Sequence, residues 1–237
     1  MEIVLDKKTC VITGVGWGTG NAIARKFANS GYSVAMLARR GDRLEQLESE
    51  IENAHAFPCD VTDTTALKET MKKITKDFAH PSVVIHNAVS GAWGKFMEID
   101  PSDLEKTFQV NTMALLHLAQ FTLPKMMEAG YGSLICTGNT AAHRGRAGYA
   151  AFAPTKAAQR ILAQSIAREA GPKGVHVAYV TIDAVIDLRW TRKRYPDKPD
   201  DFFIKPEEIA DEVFHVANQS KGAWSFDVEI RPHAENW

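Results

Sequence analysis

The chain has 237 residues, of which 45% are hydrophobic and 24% are charged, and its net charge is −1 at pH 7. These values are typical of a single globular domain spanning residues 1–237, and the balanced charge argues against a nucleic-acid or membrane-surface partner. No apolar run reaches the roughly 18 residues that cross a bilayer. The first residues, MEIVLDKK, lack the pattern of a secretory signal, so we expect a cytoplasmic protein.

Cysteine and histidine give no indication of a disulfide framework or a metal site. Cys10, Cys59 and Cys136 are widely spaced and lie in or beside apolar runs, so we expect buried, reduced thiols. The eight histidines lack the spacing of metal ligands. We therefore predict no metal.

Short β-rich runs alternate with longer helical stretches in the first half of the chain. Strands are predicted at residues 9–14, 32–39, 55–61 and 82–88, and helices at 20–31, 42–53 and 64–78. The first helix has apolar residues at a helical period and closes on Gly31. Thr62 or Asp63 is expected to cap the third helix.

The second half repeats this alternation. Helices are predicted at 103–127, 149–170 and 205–219, and strands at 132–138, 175–182 and 225–230. Pro124 is expected to interrupt the first of these helices, and Gly171 and Pro172 to end the second. The alternation predicts an α/β domain, a doubly wound seven-stranded parallel sheet with helices on both faces.

A glycine-rich loop, TGVGWGTG at residues 13–20, joins the first predicted strand to the first helix. Glycine lets the backbone turn tightly and approach a pyrophosphate, and the helix N-terminus presents free N–H groups and a positive dipole end. The loop therefore predicts nucleotide binding. The residues predicted to bind the cofactor here are Gly14, Gly16, Trp17, Gly18, Thr19 and Gly20.

With this loop, the chain resembles the short-chain dehydrogenase/reductase family over nearly its whole length. The resemblance also rests on CDVTD at 59–63, on HNAV at 86–89, on Asn111 and on Lys156. It implies a Rossmann-type fold that binds a nicotinamide cofactor. It further implies that Asp60, with Val61 beside it, contacts the adenine, and that Asn87 and Ala88 pass along a cofactor ribose.

The resemblance implies catalytic roles for two further residues. Asn111 would hold a water in a proton relay, and Lys156 would bind the nicotinamide ribose and lower the pKa of a catalytic tyrosine. For Asn111 a structural alternative stays open, in which a buried polar side chain satisfies helix backbone.

The end of the second predicted strand indicates which nicotinamide cofactor is bound. NAD sites normally carry an acidic residue there, whereas this chain has Ala38, Arg39 and Arg40. An arginine fork binds a 2′-phosphate through charge-assisted bonds worth about 1.5–3 kcal/mol, and an acid would repel it. We therefore predict NADP(H). The alternative is that both arginines are solvated residues at the start of a helix.

The predicted catalytic centre departs from the family pattern. Where the family has a serine and, thirteen residues later, a tyrosine, this chain has Asn139 and Phe152. A tyrosine stands instead at Tyr149, seven residues before Lys156, a spacing that resembles the enoyl reductase branch. Tyr149 is either a relocated proton donor, if it precedes the helix and folds back, or a residue that lines the substrate pocket.

Two more polar residues are candidates for contact with the substrate. Asn139 can donate a hydrogen bond to a substrate oxygen, and Asp183 follows the sixth strand, where a capped loop is its alternative role. The predicted catalytic residues are Lys156, Tyr149, Asn111 and Asn139. The predicted substrate contacts are Asn139, Tyr149, Phe152 and Asp183.

Two later segments bear on partners. RWTRKRY at 189–195 lies where the family has its substrate lid, and its four basic residues are either an anion-binding surface, for example for an anionic thioester, or a solvated face. The aromatic tail ending in Trp237 either contributes to a homodimer or homotetramer interface or packs on the chain's own core.

These observations lead to two hypotheses about function. The first is an NADP(H)-dependent oxidoreductase that reduces a carbonyl or an activated C=C bond of a small-molecule substrate with an altered catalytic centre. The second is a catalytically inactive NADP(H)-binding pseudoenzyme with a regulatory or structural role. Losing a positioned general acid typically costs about 10²–10⁴ in rate, which leaves both hypotheses open.

Overall fold

The computed structural model describes residues 8–234. Within them, seven strands form one parallel sheet: β1 (Thr9–Thr13), β2 (Ser33–Ala38), β3 (Ala54–Pro58), β4 (Val83–His86), β5 (Ser133–Asn139), β6 (His176–Ile182) and β9 (Asp227–Ile230). Their order across the sheet is β3-β2-β1-β4-β5-β6-β9. The predicted seven-stranded, doubly wound sheet is therefore confirmed.

Eight α-helices connect the strands in the described chain. They are α1 (Thr19–Asn29), α2 (Gly41–Glu50), α3 (Thr64–Asp77), α4 (Pro101–Phe108), α5 (Ala114–Ala129), α6 (Ala153–Ala170), α7 (Arg189–Arg194) and α8 (Pro206–Ala217). Apolar residues of α1, α2 and α8 pack on one face of the sheet, and those of α3, α5 and α6 pack on the other. The nearly uninterrupted burial of the inner strands follows from this double cover.

The strand order reverses between β1 and β4, which are neighbours although two βα units separate them in sequence. In an open α/β sheet, the crevice beyond the carboxyl ends of such strands is where ligands bind. Gly14 leaves β1 with φ +73°, and a Cβ there would lie 2.5 Å from the Cα of Ala88. Only glycine lets the two strand exits approach so closely.

The predicted helix at 103–127 is wrong in its continuity. The chain forms α4, then a π turn at Gln109–Met113, then α5, which runs past Pro124 to Ala129. Pro124 is tolerated because it and Gln120, whose carbonyl it leaves without a helical donor, are both exposed to water. Gly130, with φ +64°, ends the helix instead.

The predicted helix at 149–170 begins four residues late, at Ala153. Gly148, with φ +81°, turns the chain before it, and Pro154 occupies the first turn, where its missing N–H costs nothing. Tyr149 therefore precedes the helix, as a relocated donor requires. Asp63 caps α3 by accepting a bond of 2.9 Å from the backbone N–H of Ala66, as predicted.

Two elements near the C-terminal end of the sheet escaped the sequence analysis. The segment after β6 forms a two-residue strand, β7 (Val185–Ile186), which pairs in parallel with β8 (Phe203–Ile204). Helix α7 lies between them in sequence, and Leu188, which precedes α7, contacts Gly18 in the loop after β1.

Candidate active site

The loop between β1 and α1 forms a cradle of free backbone donors. Helix α1 has no side-chain cap and no acidic residue in its first turn. Within the described residues the N–H groups of Thr19 and Gly20 are therefore open to an anion, whereas Asn21 donates to the Gly16 carbonyl at 3.1 Å. A Cβ on Gly20 would lie 2.7 Å from the carbonyl oxygen of Gly14, so the turn requires glycine there. Trp17 and Thr19 lie on the outer side of the loop, and Leu188 covers Gly18.

Arg43, which the sequence analysis missed, lies across this loop. Its Nη1 is 3.1 Å from the position that a Cβ on Gly16 would occupy, and its guanidinium carbon is 5.7 Å from the centre of the Trp17 ring. Within the described residues its Nε is buried and has no hydrogen-bond partner. An unpaired buried donor beside free helix N–H groups suits a phosphate group.

The two arginines after β2 have different surroundings. Arg40 forms a two-pronged ion pair with Asp42, with bonds of 2.8 and 3.3 Å, which holds the pKa of that carboxyl below its ordinary value. Arg39 is exposed and has no ion pair within residues 8–234. Of the two predicted arginines, Arg39 is therefore the one free to bind a 2′-phosphate without breaking an existing pair.

The remaining predicted cofactor residues line the crevice between β1, β3 and β4. The carboxylate of Asp60 accepts bonds of 2.9 and 2.8 Å from the backbone and hydroxyl of Thr62, and Val61 packs against Ala88. The amide of Asn87 donates to the carbonyl of Gly14 at 3.0 Å. These bonds hold the strand exits in register around the cradle.

Asn111 is fully buried in the π turn, and its side chain links two separate segments of the chain through hydrogen bonds. Its amide donates to the carbonyl of Ser90 at 3.0 Å and to the Thr155 hydroxyl at 2.8 Å, and its Oδ1 accepts from the N–H of Ser90 at 2.9 Å. The side chain thus ties the loop after β4 to α6. The part of Asn111 that faces the side chains of His86 and Gln159 is its backbone carbonyl.

Lys156 projects from α6 into the interior and is only 2% exposed. Its Nζ donates to the carbonyl of Thr137 at 3.3 Å and, through a short bond, to Oε1 of Gln159. Burial lowers the pKa of Lys156 to about 8. The Nζ of Lys156 is therefore held inside the protein, between β5 and the side chain of Gln159.

His86 is a second buried base beside Lys156, and it was not singled out from the sequence. Its Nε2 lies 3.3 Å from the Asn111 carbonyl, which can only accept, so Nε2 carries the proton and Nδ1 accepts from the Thr13 hydroxyl at 3.0 Å. Burial, and then the charge of Lys156, lowers the pKa of His86 to about 4. The ring is therefore neutral at physiological pH.

Three aromatic rings meet where the chain enters α6. The ring of Phe152, which is 4% exposed, lies 6.0 Å from that of Tyr149 and 5.2 Å from that of Trp93, between centroids. The backbone at Tyr149 also pairs with Gly94 in an isolated parallel bridge. The two predicted aromatic residues are thus brought together, and Trp93, missed from sequence, joins them.

Asn139 and Asp183 both contact other residues of the protein, Asn139 through a hydrogen bond and Asp183 through ion pairs. Asn139 caps the turn after β5 by accepting 3.1 Å from the N–H of Ala141, which leaves its amide N–H groups free of any bond within the described chain. Asp183 lies between Arg144, at 3.8 Å, and Arg231, at 3.7 Å. Asp183 therefore anchors loops, which matches the structural alternative more closely than contact with a substrate.

A cleft of about 580 Å³ opens beside the start of α6, and Tyr149 is part of its wall. Most of the wall is alanine, glycine and proline, with Phe96 at the rim. Of the described residues that line the cleft, Lys95, Arg144 and Arg146 are cationic and none is acidic. Lys95 lies 3.6 Å from Glu98 and Arg144 lies 3.8 Å from Asp183, so both are paired with carboxylates outside the wall. The sequence pattern could not predict that these three cations lie together, because Lys95 is about 50 residues from the two arginines.

The basic run at 189–195 forms α7. Arg192 is bonded to Asp187 and Asp200, each at 2.7 Å, and its guanidinium carbon lies 4.1 Å from the centre of the Phe203 ring. It therefore holds β7, α7 and β8 together, while Arg189, Lys193 and Arg194 are exposed. Trp237 lies outside the described residues, so its predicted interface role and the oligomeric state stay predictions.

Two other kinds of feature, a membrane-spanning helix and a metal-binding cluster, are absent from the described residues. No helix in that part of the chain is long and apolar enough to cross a membrane. Residues 8–234 also contain no cluster of three or more His, Cys, Asp or Glu side chains able to hold a metal ion.

Comparison with known proteins gives consistent matches. A model of the short chain dehydrogenase family matches residues 8–191. An uncharacterized oxidoreductase of Staphylococcus aureus (strain N315) is 27% identical over 231 residues, covering 97% of this chain and 99% of the relative. A metagenomic short-chain oxidoreductase solved in complex with NADP has a TM-score of 0.83 at 27% identity, covering 95% of this chain and 97% of that one. An alcohol dehydrogenase from the archaeon Thermococcus sibiricus, complexed with 5-hydroxy-NADP, has a TM-score of 0.83 at 26% identity, covering 97% and 98%.

Proposed function

The chain belongs to the short chain dehydrogenase family of oxidoreductases, and we propose that it uses NADP(H) to reduce a carbonyl or an activated C=C bond. The observation that carries the proposal is the pairing of an open phosphate cradle with an unpaired cation, Arg43, whose buried Nε has no partner in the described chain. The two solved relatives named above contain NADP or its 5-hydroxy derivative, which supports the same cofactor.

The residues present fit a cofactor with a 2′-phosphate. The N–H groups of the first turn of α1 would bind the pyrophosphate, and Arg39 and Arg43 would bind the 2′-phosphate, because neither has an ion pair among residues 8–234. Lys156 would hold the nicotinamide end. The cofactor, when bound, supplies a hydride; the protein has to orient the substrate and supply a proton.

Tyr149 is our proposed proton donor. Of the described residues that line the cleft, it alone has a hydroxyl, and it stands before α6, where the chain has turned at Gly148. The ring of Phe152 packs edge to face against the ring of Tyr149. The free amide N–H groups of Asn139, at the end of β5, would stabilise the developing negative charge on a substrate oxygen.

The cleft indicates the class of substrate. Among the described residues, the wall consists mainly of small apolar residues with Lys95, Arg144 and Arg146 and carries no carboxylate. Such a wall favours an organic anion with an apolar body, and an anionic thioester is one such molecule. Arg146 is exposed and has no ion pair among residues 8–234, so a carboxylate or phosphate could bind it without displacing another group. We propose these cations as the anion-binding surface in place of residues 189–195, for which a solvated face was the alternative.

The experiment is a turnover screen with a paired binding measurement. Purified protein is mixed with NADPH and matched neutral and carboxylated ketones, enones and enoyl thioesters, and the loss of reduced-nicotinamide absorbance is followed. We expect turnover with at least one anionic member of a pair and a lower rate with its neutral counterpart. Tight NADPH binding with no turnover across the panel would contradict the proposal and indicate a pseudoenzyme.

A further inference from the structure

Gln159 is fully buried, and its side chain is hydrogen-bonded to Asn111, Lys156 and Tyr179. It follows Lys156 by three residues, so the two side chains share one face of α6. At such a position a helix packed on a sheet normally carries an apolar residue. The cost of burying an amide is offset here, because both ends of the Gln159 side chain are hydrogen-bonded.

The partners of Gln159 fix its orientation. Its Nε2 donates to the backbone carbonyl of Asn111 at 2.6 Å. Its Oε1 accepts from the Nζ of Lys156 and from the hydroxyl of Tyr179, the latter at 3.3 Å. A carbonyl can only accept and an ammonium can only donate, so the amide cannot be reversed without losing both bonds.

Lys156 has no carboxylate partner in the described chain. Its two acceptors, the Thr137 carbonyl and the Gln159 amide, are neutral. The titratable groups packed around it are Cys136 on β5, His86 on β4 and Tyr179 on β6, and burial raises the pKa of both Cys136 and Tyr179, so both are neutral at physiological pH. The amide of Gln159 is therefore the side-chain hydrogen-bond partner in the described chain that can stabilise the ammonium form, beside the Tyr179 ring, whose centroid lies 5.9 Å from Nζ.

We propose that Gln159 is the positioning residue of this site: its amide holds the Nζ of Lys156 in place and, in the same arrangement, occupies the carbonyl oxygen of Asn111. The direct 2.6 Å bond leaves no room for a water between Gln159 and that carbonyl. An amide N–H does not pass protons as a water does. Lys156 is thereby held as a fixed charge and is separated from any proton path through Asn111.

The test replaces Gln159 in two ways that keep its size. Gln159→Glu puts a carboxylate beside the ammonium, and Gln159→Met removes the acceptor. The titration of the Lys156 side chain is followed by NMR of ¹³C,¹⁵N-lysine-labelled protein without cofactor, with the signal assigned from the spectrum of Lys156→Met. Gln120→Glu, on the exposed side of α5, adds the same charge as a control.

We expect the Lys156 midpoint to rise by about 1–3 pH units in Gln159→Glu and to fall in Gln159→Met, with no change in Gln120→Glu. A midpoint unchanged in Gln159→Glu would overturn the proposal, and this variant decides the matter if Gln159→Met does not fold. The titration needs neither cofactor nor substrate, so its failure is distinct from failure of the proposed function. If that function holds, the alkaline limb of the kcat/KM profile follows the same midpoint.

Discussion

The rings of Tyr149 and Phe152 meet edge to face at the entrance to α6, with their centroids 6.0 Å apart and their planes at 60°. Phe152 is almost fully buried and occupies the N-cap position of α6. Tyr149 precedes the helix and lines the cleft. The entry to α6 therefore carries two aromatic residues, four and seven residues before Lys156, and only the one before the helix carries a hydroxyl. This arrangement separates the ring that packs from the ring that can donate a proton.

Tyr149→Phe removes the proposed donor and keeps the ring. We expect kcat to fall by about 10²–10⁴ while the Kd for NADPH is unchanged, because a general acid acts in the chemical step and not in cofactor binding. Steady-state kinetics and fluorescence titration measure the two quantities. Tyr131→Phe, an exposed tyrosine before β5, is the matched control. A parental rate in Tyr149→Phe would leave Tyr149 as a pocket-lining residue only.

Phe152→Tyr places a hydroxyl one helical turn before Lys156, within the aromatic group formed with Trp93. We expect weak new carbonyl reduction and only partial rescue of Tyr149→Phe, because Asn139 cannot replace a serine hydroxyl in every role. Rates with matched ketones test this expectation. Phe121→Tyr adds a hydroxyl on α5, outside the lining of the cleft, and should change nothing. Full rescue of Tyr149→Phe would contradict this expectation and show that a hydroxyl at either position supports the reaction equally well.

Arg39→Ala and Arg43→Ala should each weaken NADPH binding about ten- to a hundredfold and leave NADH binding nearly unchanged, because each removes a charge-assisted contact with the 2′-phosphate. Arg40→Ala should cost less, since Arg40 is paired with Asp42. Titration with each nucleotide, followed by the fluorescence of Trp17, measures the preference. Arg168→Ala removes an exposed charge from the last turn of α6 as a control. Equal loss of both nucleotides in Arg43→Ala would assign that residue to the pyrophosphate instead.

Lys156→Ala should weaken cofactor binding and abolish turnover, because an ammonium at the end of β5 positions the nicotinamide end whatever the proton donor is. Equilibrium binding and single-turnover rates test this together. Lys173→Ala, an exposed lysine beyond α6, should behave like the parent. Unchanged affinity and rate in Lys156→Ala would leave Lys156 with a packing role alone.

His86 should make the fold sensitive to acid. Its pKa is about 4 in the fold, against an ordinary value near 6.5, so the unfolded chain takes up the proton first as the pH falls. The free energy of unfolding should therefore drop between about pH 6.5 and pH 4, by up to about 3 kcal/mol, relative to the variant His86→Asn. Urea unfolding at several pH values measures the difference. His233→Asn, at an exposed histidine, should show the parental pH dependence.

The order of strands and helices could be predicted from the sequence, because each depends on local periodicity and on glycine and proline at the right places. The glycine loop followed a strand and opened a helix, which was enough to locate the cradle. Local pattern misplaced the start of α6, where Tyr149 fits a helical period although Gly148 and Pro154 set the boundary at Ala153. It also missed the π turn, which depends on contacts of Asn111 with distant side chains.

The contacts that define the site were decided by the tertiary structure alone. Gln159 bonds a carbonyl 48 residues away, and Arg43 reaches Gly16 from the start of a different helix. The hydrophobic periodicity of a segment cannot predict these two contacts. They arise only when α6 packs on the π turn and α2 packs beside the loop after β1. The sequence by itself determined the type of fold and the kind of ligand. Packing decided which donors are left free, which lysine is fixed, and which aromatic ring faces the cleft.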